Sequence, residues 1–352
     1  MKGLVLSGGF GTRLRPLTYS QQKQLIPVAN KPILFYALED LIEAGIHEIG
    51  IIVGPNKEQV IETVKAVSWD AKIRFIEQEQ PLGIAHTIKI SKEFLKNDAF
   101  VMYLGDNILK EGIVDHVKDF ETSDYEASIL LTPVNNPEEF GIAMLNKHKD
   151  IVKIIEKPAH PRSNLAVIGV YLFRSKIQEA VEKIKFSKRH QLEITDSIQW
   201  LIDHGYKVKS ALVQNWWKDT GKPEDILHAN RLVIDTIESC NKGKVSHSEI
   251  RGRVQIQKDT IIENHSTVKG PVIIGEHCRI HHSYIGPYTS VGNHCEIVNS
   301  EIEDSVIMEG ATIIDGGRIV DSLIGREAHI SKKTGLPNGR TFVIGDQSEV
   351  NL

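Results

Sequence analysis

Apolar positions follow two different rhythms along this chain, and the change comes near Lys244. Before it, short apolar runs alternate with stretches of helical period. Leu4–Leu6, Glu48–Val53, Ile73–Glu77 and Ala99–Leu104 read as strands. The second and fourth lack polar alternation, which predicts burial on both faces. Pro32 opens a helix whose Leu34, Ala37, Leu38 and Leu41 share one face, and Gly45 ends it. Lys57–Val67 and Gly83–Leu95 predict further helices. Ser128–Thr132, Gly141–Leu145, Ile151–Glu156 and Val167–Phe173 add strands; Glu193–His204 predicts a helix and Tyr206–Leu212 a strand. Pro223 stands first in a last helix, with Ile226, Leu227, Val233, Ile234 and Ile237 on its inner side. Strands alternating with helices predict an α/β domain over residues 1–240.

Beyond Lys244 the helical period stops. β-branched residues recur at a step of six: Ile256, Ile262, Val268, Ile274, Ile280. The step shortens to five at Ile285, resumes at Val291 and Ile297, shortens through Ile302 to Ile307, then gives Ile313, Ile319, Ile324 and Ile330. Glycine follows several of them, and Thr289, Ala311 and Ala328 put small residues near the turns. This hexapeptide period predicts a parallel β-helix over residues 245–352, each triangular coil burying three apolar side chains. A string of antiparallel hairpins would instead show alternation by twos and Asn-Gly or Asp-Gly turns. A solenoid leaves flat faces and an open end, which favours a homo-oligomer.

Charge narrows the partners. The net charge of -4 over 352 residues gives no global basic field, so nucleic acid is not expected and anion binding must be local. Cys240, Cys278 and Cys295 are far apart and form no C-x-x-C pair, which fits a reducing compartment. No apolar run approaches the ~20 residues of a membrane span, and the N-terminus enters a strand without a signal pattern. A cytoplasmic protein with no membrane partner is expected.

The candidate chemistry starts where the first strand breaks into Ser7-Gly8-Gly9-Phe10-Gly11-Thr12-Arg13-Leu14. Glycines let backbone N–H groups turn toward one anion, and Arg13 and Lys23 add fixed positive charge. The loop lacks the third glycine of the dinucleotide fingerprint, and the second strand ends in Val53-Gly54 without an acid. It also lacks G-K-[ST]. A polyphosphate is the expected ligand, with a plain glycine turn as the alternative. Asp106 follows a buried strand, and Asp219 stands at a loop-to-helix boundary, where it could also cap the helix. Together they suit Mg²⁺, which takes one or two carboxylates plus substrate phosphates. Glu156-Lys157-Pro158 ends another strand; Lys157 could neutralise a phosphate and Glu156 accept sugar hydroxyls, or the two form a surface pair.

The order of these pieces resembles the sugar-phosphate nucleotidyltransferases. Gly8-Gly9-Phe10-Gly11-Thr12-Arg13-Leu14-Arg15-Pro16-Leu17-Thr18 matches that family's G-G-x-G-T-R-L-x-P-x-T signature, and Lys23-Gln24-Leu25-Ile26-Pro27 resembles the K-Q-L-x-P run of its glucose-1-phosphate thymidylyltransferase branch. Gln78 with Gly83-Ile84-Ala85, Leu104-Gly105-Asp106-Asn107, Phe140-Gly141-Ile142, Glu156-Lys157-Pro158, Val167-Ile168-Gly169-Val170-Tyr171, Leu192-Glu193-Ile194-Thr195-Asp196 and Asp219-Thr220-Gly221 keep the family's order. The hexapeptide region and the end Val343-Ile344-Gly345-Asp346-Gln347-Ser348-Glu349-Val350 resemble the long-form branch. Glu79-Gln80-Pro81-Leu82 departs from the usual proline-rich, aspartate-containing segment.

The resemblance implies a Rossmann-like nucleotidyltransferase domain with a mixed, mostly parallel sheet, followed by a left-handed parallel β-helix. It implies dTTP or UTP and a hexose 1-phosphate as substrates, with Mg²⁺. Gly8, Gly9, Gly11, Thr12, Arg13 and Lys23 would hold the triphosphate. Gln24, Gln78 and Gly83 would face the base. Asp106 and Asp219 would hold the metal. Asn107, Gly141, Glu156 and Val167 would face the sugar, and Lys157 its phosphate. Arg13, Lys23, Asp106 and Lys157 would carry catalysis. Hexapeptide solenoids also serve acetyltransferases, which makes His277, His281, His282 and His294 candidate bases of a second activity.

Overall fold

The computed structural model describes residues 1–332 and 344–351. Val343, which begins the terminal motif, lies outside them. By contacts the chain divides into two compact units. One comprises 1–10, 22–25 and 33–219; the other comprises 11–21, 26–32 and 220–352. The first boundary thus falls inside the glycine loop, and the helix Pro223–Ile234 goes with the second unit.

The first unit is built on a mixed sheet. Lys2–Ser7 lies at its centre, parallel to Glu48–Val53 on one side and to Phe100–Leu104 on the other, and Lys72–Glu77 continues the parallel part. Leu165–Phe173 then pairs antiparallel with Phe100–Leu104 and leads to the antiparallel pair Gly141–Leu145 and Ile151–Glu156. Alternation along the first strand explains the layers: Leu4 and Leu6 belong to one apolar cluster and Val5 to another. Helices Ile84–Ile90 and Ile194–Asp203 add Ile88, Ile198 and Leu201 to the first cluster, and Ile33–Glu43 adds Leu34, Leu38 and Leu41 to the second. The parallel strands end together at Ser7, Val53 and Leu104, the edge where open α/β sheets bind ligands.

Local chemistry modifies some expected elements. Gly83–Leu95 is two helices, Ile84–Ile90 and Lys92–Leu95. They meet at Ser91, whose Oγ donates to the Thr87 carbonyl at 2.6 Å, a back-bond that disfavours straight continuation. The helix from Pro223 ends at Ile234, so Ile237 lies beyond it. Helices Val114–Glu121 and Lys176–Lys183 join the set without having been expected.

In the second unit the hexapeptide positions align on one another. Ile256 pairs with Ile274, Ile274 with Val291, Val291 with Ile307 and Ile307 with Ile324, all in parallel. Ile262, Ile280, Ile297, Ile313 and Ile330 form a second parallel ladder, and Val268, Ile285, Ile302 and Ile319 a third. Ile256 through Ile313 are buried at these positions; Ile319, Ile324 and Ile330 pack against them. Each one-residue slip in the sequence therefore shortens a turn and leaves the inward register intact. Parallel pairing throughout rules out the hairpin alternative.

Candidate active site

Asp106 follows the strand end directly: the Gly105 N–H donates to the Leu6 carbonyl at 3.0 Å, and Asp106 emerges beyond it. Asn107–Leu109 then pairs antiparallel with Trp217–Asp219, with Asn107 opposite Asp219. This short pairing brings together two carboxylates more than a hundred residues apart in sequence. The Lys23 ammonium donates to Asp106 Oδ2 and lies 3.9 Å from Asp219 Oδ1. Lys23 is buried, held in the short helical turn Lys23–Leu25. Asp219 does not cap the following helix, whose N-cap position is Lys222.

Burial works against ionisation of Asp106. The Lys23 charge and hydrogen bonds from Lys23 and Asn107 outweigh it and hold the carboxyl below the usual range. Asn107 orients this group. Its Nδ2 donates to Asp106 Oδ1 at 2.8 Å, while its Oδ1 accepts from Trp217 Nε1 at 2.6 Å and from the Gly169 N–H at 3.2 Å. It is 2% exposed, so its amide is committed to these partners instead of being open toward a sugar. Two carboxylates sharing one ammonium fit a divalent cation completed by phosphate oxygens and water. No cluster of three or more His, Cys, Asp or Glu ligands occurs among the described residues, so a cage made by protein alone is not the arrangement here.

In the same unit, Glu156 closes its strand opposite Gly141. Its Oε2 accepts from Thr195 Oγ1 at 3.2 Å and its Oε1 from Arg189 Nη2 at 2.8 Å. Arg189 also donates to Glu193. A Cβ on Gly141 would come within 2.8 Å of Thr195 Cγ2, 3.3 Å of Glu156 Oε2 and 3.8 Å of Val167 Cβ, so these four residues line one spot. Burial pushes the Glu156 carboxyl up, against the pull of Arg189. Lys157, exposed beside it, has φ +41°, a left-handed conformation that costs a non-glycine residue energy and aims its side chain.

The glycine loop of the first unit is pinned by Gln22, whose Nε2 donates to the carbonyls of Ser7 and Gly9 and to Gln24 Oε1, each at 2.9 Å. Gln24 is thereby buried. Gln78 ends its strand with its N–H on the Val53 carbonyl, and its Oε1 lies 3.2 Å from where a Cβ on Gly8 would be. Gly83 has φ +113°, and a Cβ there would reach 2.4 Å from the Leu192 carbonyl oxygen; only glycine fits. Gly11, Thr12 and Arg13 belong to the second unit. There the Gly11 carbonyl accepts from Thr18 Oγ1 at 2.8 Å. The Arg13 guanidinium lies over Gly221, so close that a Cβ would come within 2.9 Å of Nη2.

Sequence reasoning did not single out Gln22 or Arg189. A glutamine holding two carbonyls leaves no periodic trace. Arg189 stands four residues before Glu193, a spacing that suggests an ion pair but not its second partner, Glu156. Three of the four candidate histidines of the strand ladders sit at corners, and His281 does not. His277, His282 and His294 all have positive φ, the conformation that His, Asn and Asp tolerate at corners, and the His277 and His294 rings stack at 5.0 Å.

Residues 2–236 match the nucleotidyl transferase family and residues 268–352 the GMPPB C-terminal domain. The chain belongs to the nucleotidyl transferase family and is a nucleotidyltransferase enzyme. Enzymes of this class generally use a divalent metal. The chain is 44% identical to a glucose-1-phosphate thymidylyltransferase of Streptomyces griseus, covering 100% of this chain and 99% of that one. It is 47% identical to the low-salt glycan biosynthesis nucleotidyltransferase Agl11 of Haloferax volcanii, covering 100% of both. A solved Bacillus anthracis structure, assigned as a glucose-1-phosphate thymidylyltransferase and in complex with a sucrose, superposes with TM-score 0.62 at 34% identity. It covers 68% of this chain and 98% of its own. No helix among the described residues is long and apolar enough to cross a membrane.

Proposed function

We propose that this enzyme transfers a thymidylyl group from dTTP to glucose 1-phosphate, giving dTDP-glucose and pyrophosphate. The observation that carries the reading is the convergence of Asp106 and Asp219 on the Lys23 ammonium at the carboxyl edge of the sheet. The names of the full-length relatives support the substrate pair.

The sugar-phosphate oxygen attacks the α-phosphorus in line and pyrophosphate leaves. That oxygen is already anionic at neutral pH, so no general base is required, and positioning and electrostatics dominate. Asp106 and Asp219 would hold Mg²⁺, which when bound would neutralise charge on the triphosphate. Lys23 and Arg13 stabilise the leaving pyrophosphate, and the backbone of Gly8, Gly9, Gly11 and Thr12 cradles it. Gln78 reads the base edge, with Gln24 behind the loop and Gly83 below. Glu156 accepts sugar hydroxyls beside Gly141 and Val167. Lys157 screens the incoming phosphate.

UTP is the second reading. Thymine and uracil offer an amide the same N3–H and O4 edge, and Gln78 is an amide. An acetyltransferase activity in the strand ladders is the less favoured reading, since left-handed backbone accounts for His277, His282 and His294 and leaves only His281 as a candidate base. We read residues 1–240 as the catalytic domain and the strand ladders of 245–352 as a left-handed β-helix through which copies of the chain associate in the cytoplasm. Pyrophosphate release from dTTP and UTP, each with glucose 1-phosphate and an amino-sugar phosphate, tests the function. Light scattering of the intact chain tests association.

A further inference from the structure

Gln78 is buried at 6% exposure, and its Nε2 lies 3.0 Å from His86 Nδ1. The amide oxygen faces the other way, toward Gly8. His86 stands in the first turn of Ile84–Ile90, the helix that Gly83 lets begin hard against Leu192. Burial, with the Lys89 charge second, lowers the affinity of His86 for a proton and favours the neutral ring. Lys89 is itself turned to Glu182 at 2.7 Å. A neutral imidazole with its proton on Nε2 offers only a lone pair at Nδ1. It can accept from the Gln78 NH₂ and cannot donate to the Gln78 oxygen.

An unassisted amide has two orientations of nearly equal energy that present opposite patterns. With oxygen and nitrogen as placed here, it can accept from a donor and donate to an adjacent acceptor in one fixed order. The N3–H and O4 edge of thymine or uracil meets one order; cytosine, with N3 an acceptor and N4 a donor, needs the reverse.

We propose that His86 is a specificity-determining positioning residue: by accepting from Gln78 Nε2 it locks the amide so that the site takes thymine or uracil and rejects cytosine. This rests on the reading of Gln78 as the base-reading residue. The assignment gives a task to a polar ring in the first turn of a helix whose Ala85 and Ile88 belong to the core. It also separates two layers of selectivity. His86 excludes cytosine, while the choice between thymine and uracil depends on room for a methyl group.

The test is kcat/KM for dTTP and dCTP with glucose 1-phosphate in the intact enzyme, His86→Leu, His86→Asp and Gln78→Ala. Removing the acceptor in His86→Leu frees the amide to turn, so the dTTP-to-dCTP ratio narrows by roughly tenfold or more, the scale of one misdirected buried hydrogen bond. The change comes mainly from a lower KM for dCTP, with kcat for dTTP held within about twofold. A general packing defect would lower both substrates together. His86→Asp, an acceptor without a donor, restores the ratio. An unchanged ratio in His86→Leu overturns the proposal, and Gln78→Ala then identifies the fault. If Gln78→Ala collapses the ratio, base reading stands and only the lock is wrong; if it too leaves the ratio unchanged, Gln78 does not read the base.

Discussion

Asp106 and Glu156 are both carboxylates at strand ends of one sheet, yet their surroundings push them in opposite directions. Asp106 is held below the usual carboxyl range by the Lys23 ammonium and by Asn107. Glu156 is pushed up by burial, and its Arg189 partner is shared with Glu193. Tyr171, buried, feels both charges, which with burial keep its phenol protonated. Two carboxylates driven apart in this way mark two tasks. In the proposed reading the first, kept charged, accompanies a cation and phosphates, and the second, disfavoured by burial, accepts hydroxyl donors from a sugar.

The sharpest way to break this contrast is to remove each charge in place. Asp106→Asn should lower turnover by roughly a hundredfold or more, the scale of a lost transition-state charge contact. Glu156→Gln should act on the KM for the sugar phosphate, raising it about tenfold, the cost of one or two hydrogen bonds to a charged acceptor, and leave the KM for the triphosphate near wild type. Steady-state kinetics in both substrates check this. If the two variants show the same kinetic defect, the division of labour is wrong.

A smaller effect tests the support behind Asp106. Asn107→Ala strands the N–H of half-buried Trp217 and removes a donor from the carboxylate. About 1–3 kcal/mol of stability is at stake, read as a shift in urea midpoint with unchanged slope. The proton affinity of Asp106 should rise with it. Loss of activity with no change in midpoint would mean that Asn107 contacts substrate instead.

The smallest expected effect is in pH. Asp106, with its folded pKa depressed, contributes stability present above its unfolded pKa and lost only as pH falls through the lower folded value. Glu156, with its folded pKa raised, contributes stability present below its unfolded pKa and lost as pH rises through the higher folded value. Sugar-phosphate affinity should therefore weaken on mild acidification, where Glu156 takes a proton while Asp106 remains ionised. Glu156→Gln should flatten that slope, followed by calorimetry of sugar-phosphate binding. A slope that survives in Glu156→Gln would assign it to another group.

Much of this was legible beforehand because it is periodic. The three ladders from Ile256 to Ile330 follow from a step of six, since every coil must bury three side chains whatever its length. Asp106 could be placed at a strand end because buried parallel strands are continuous apolar runs. The joining of Asp219 to Asp106 was hidden: it depends on the three-residue pairing of Asn107–Leu109 with Trp217–Asp219, too short and too distant to leave a pattern. Gln22, Arg189 and the buried commitment of Asn107 were hidden for a related reason. Single side chains that satisfy remote carbonyls and carboxylates obey geometry, which sequence spacing does not record. The break at Ser91 was local, but a serine hydroxyl can bond backward or face water, and only the fold decides which.

The proposed nucleotidyl transfer centres on the Lys23, Asp106 and Asp219 cluster. Pyrophosphate release with dTTP and glucose 1-phosphate, in the presence of Mg²⁺, tests it most directly when run on wild type and Asp106→Asn side by side. The account predicts release that requires both substrates in the wild type and falls at least about a hundredfold in a variant that remains folded. Wild-type protein that releases no pyrophosphate with dTTP or UTP, or an Asp106→Asn variant that releases it at the wild-type rate, would contradict the account.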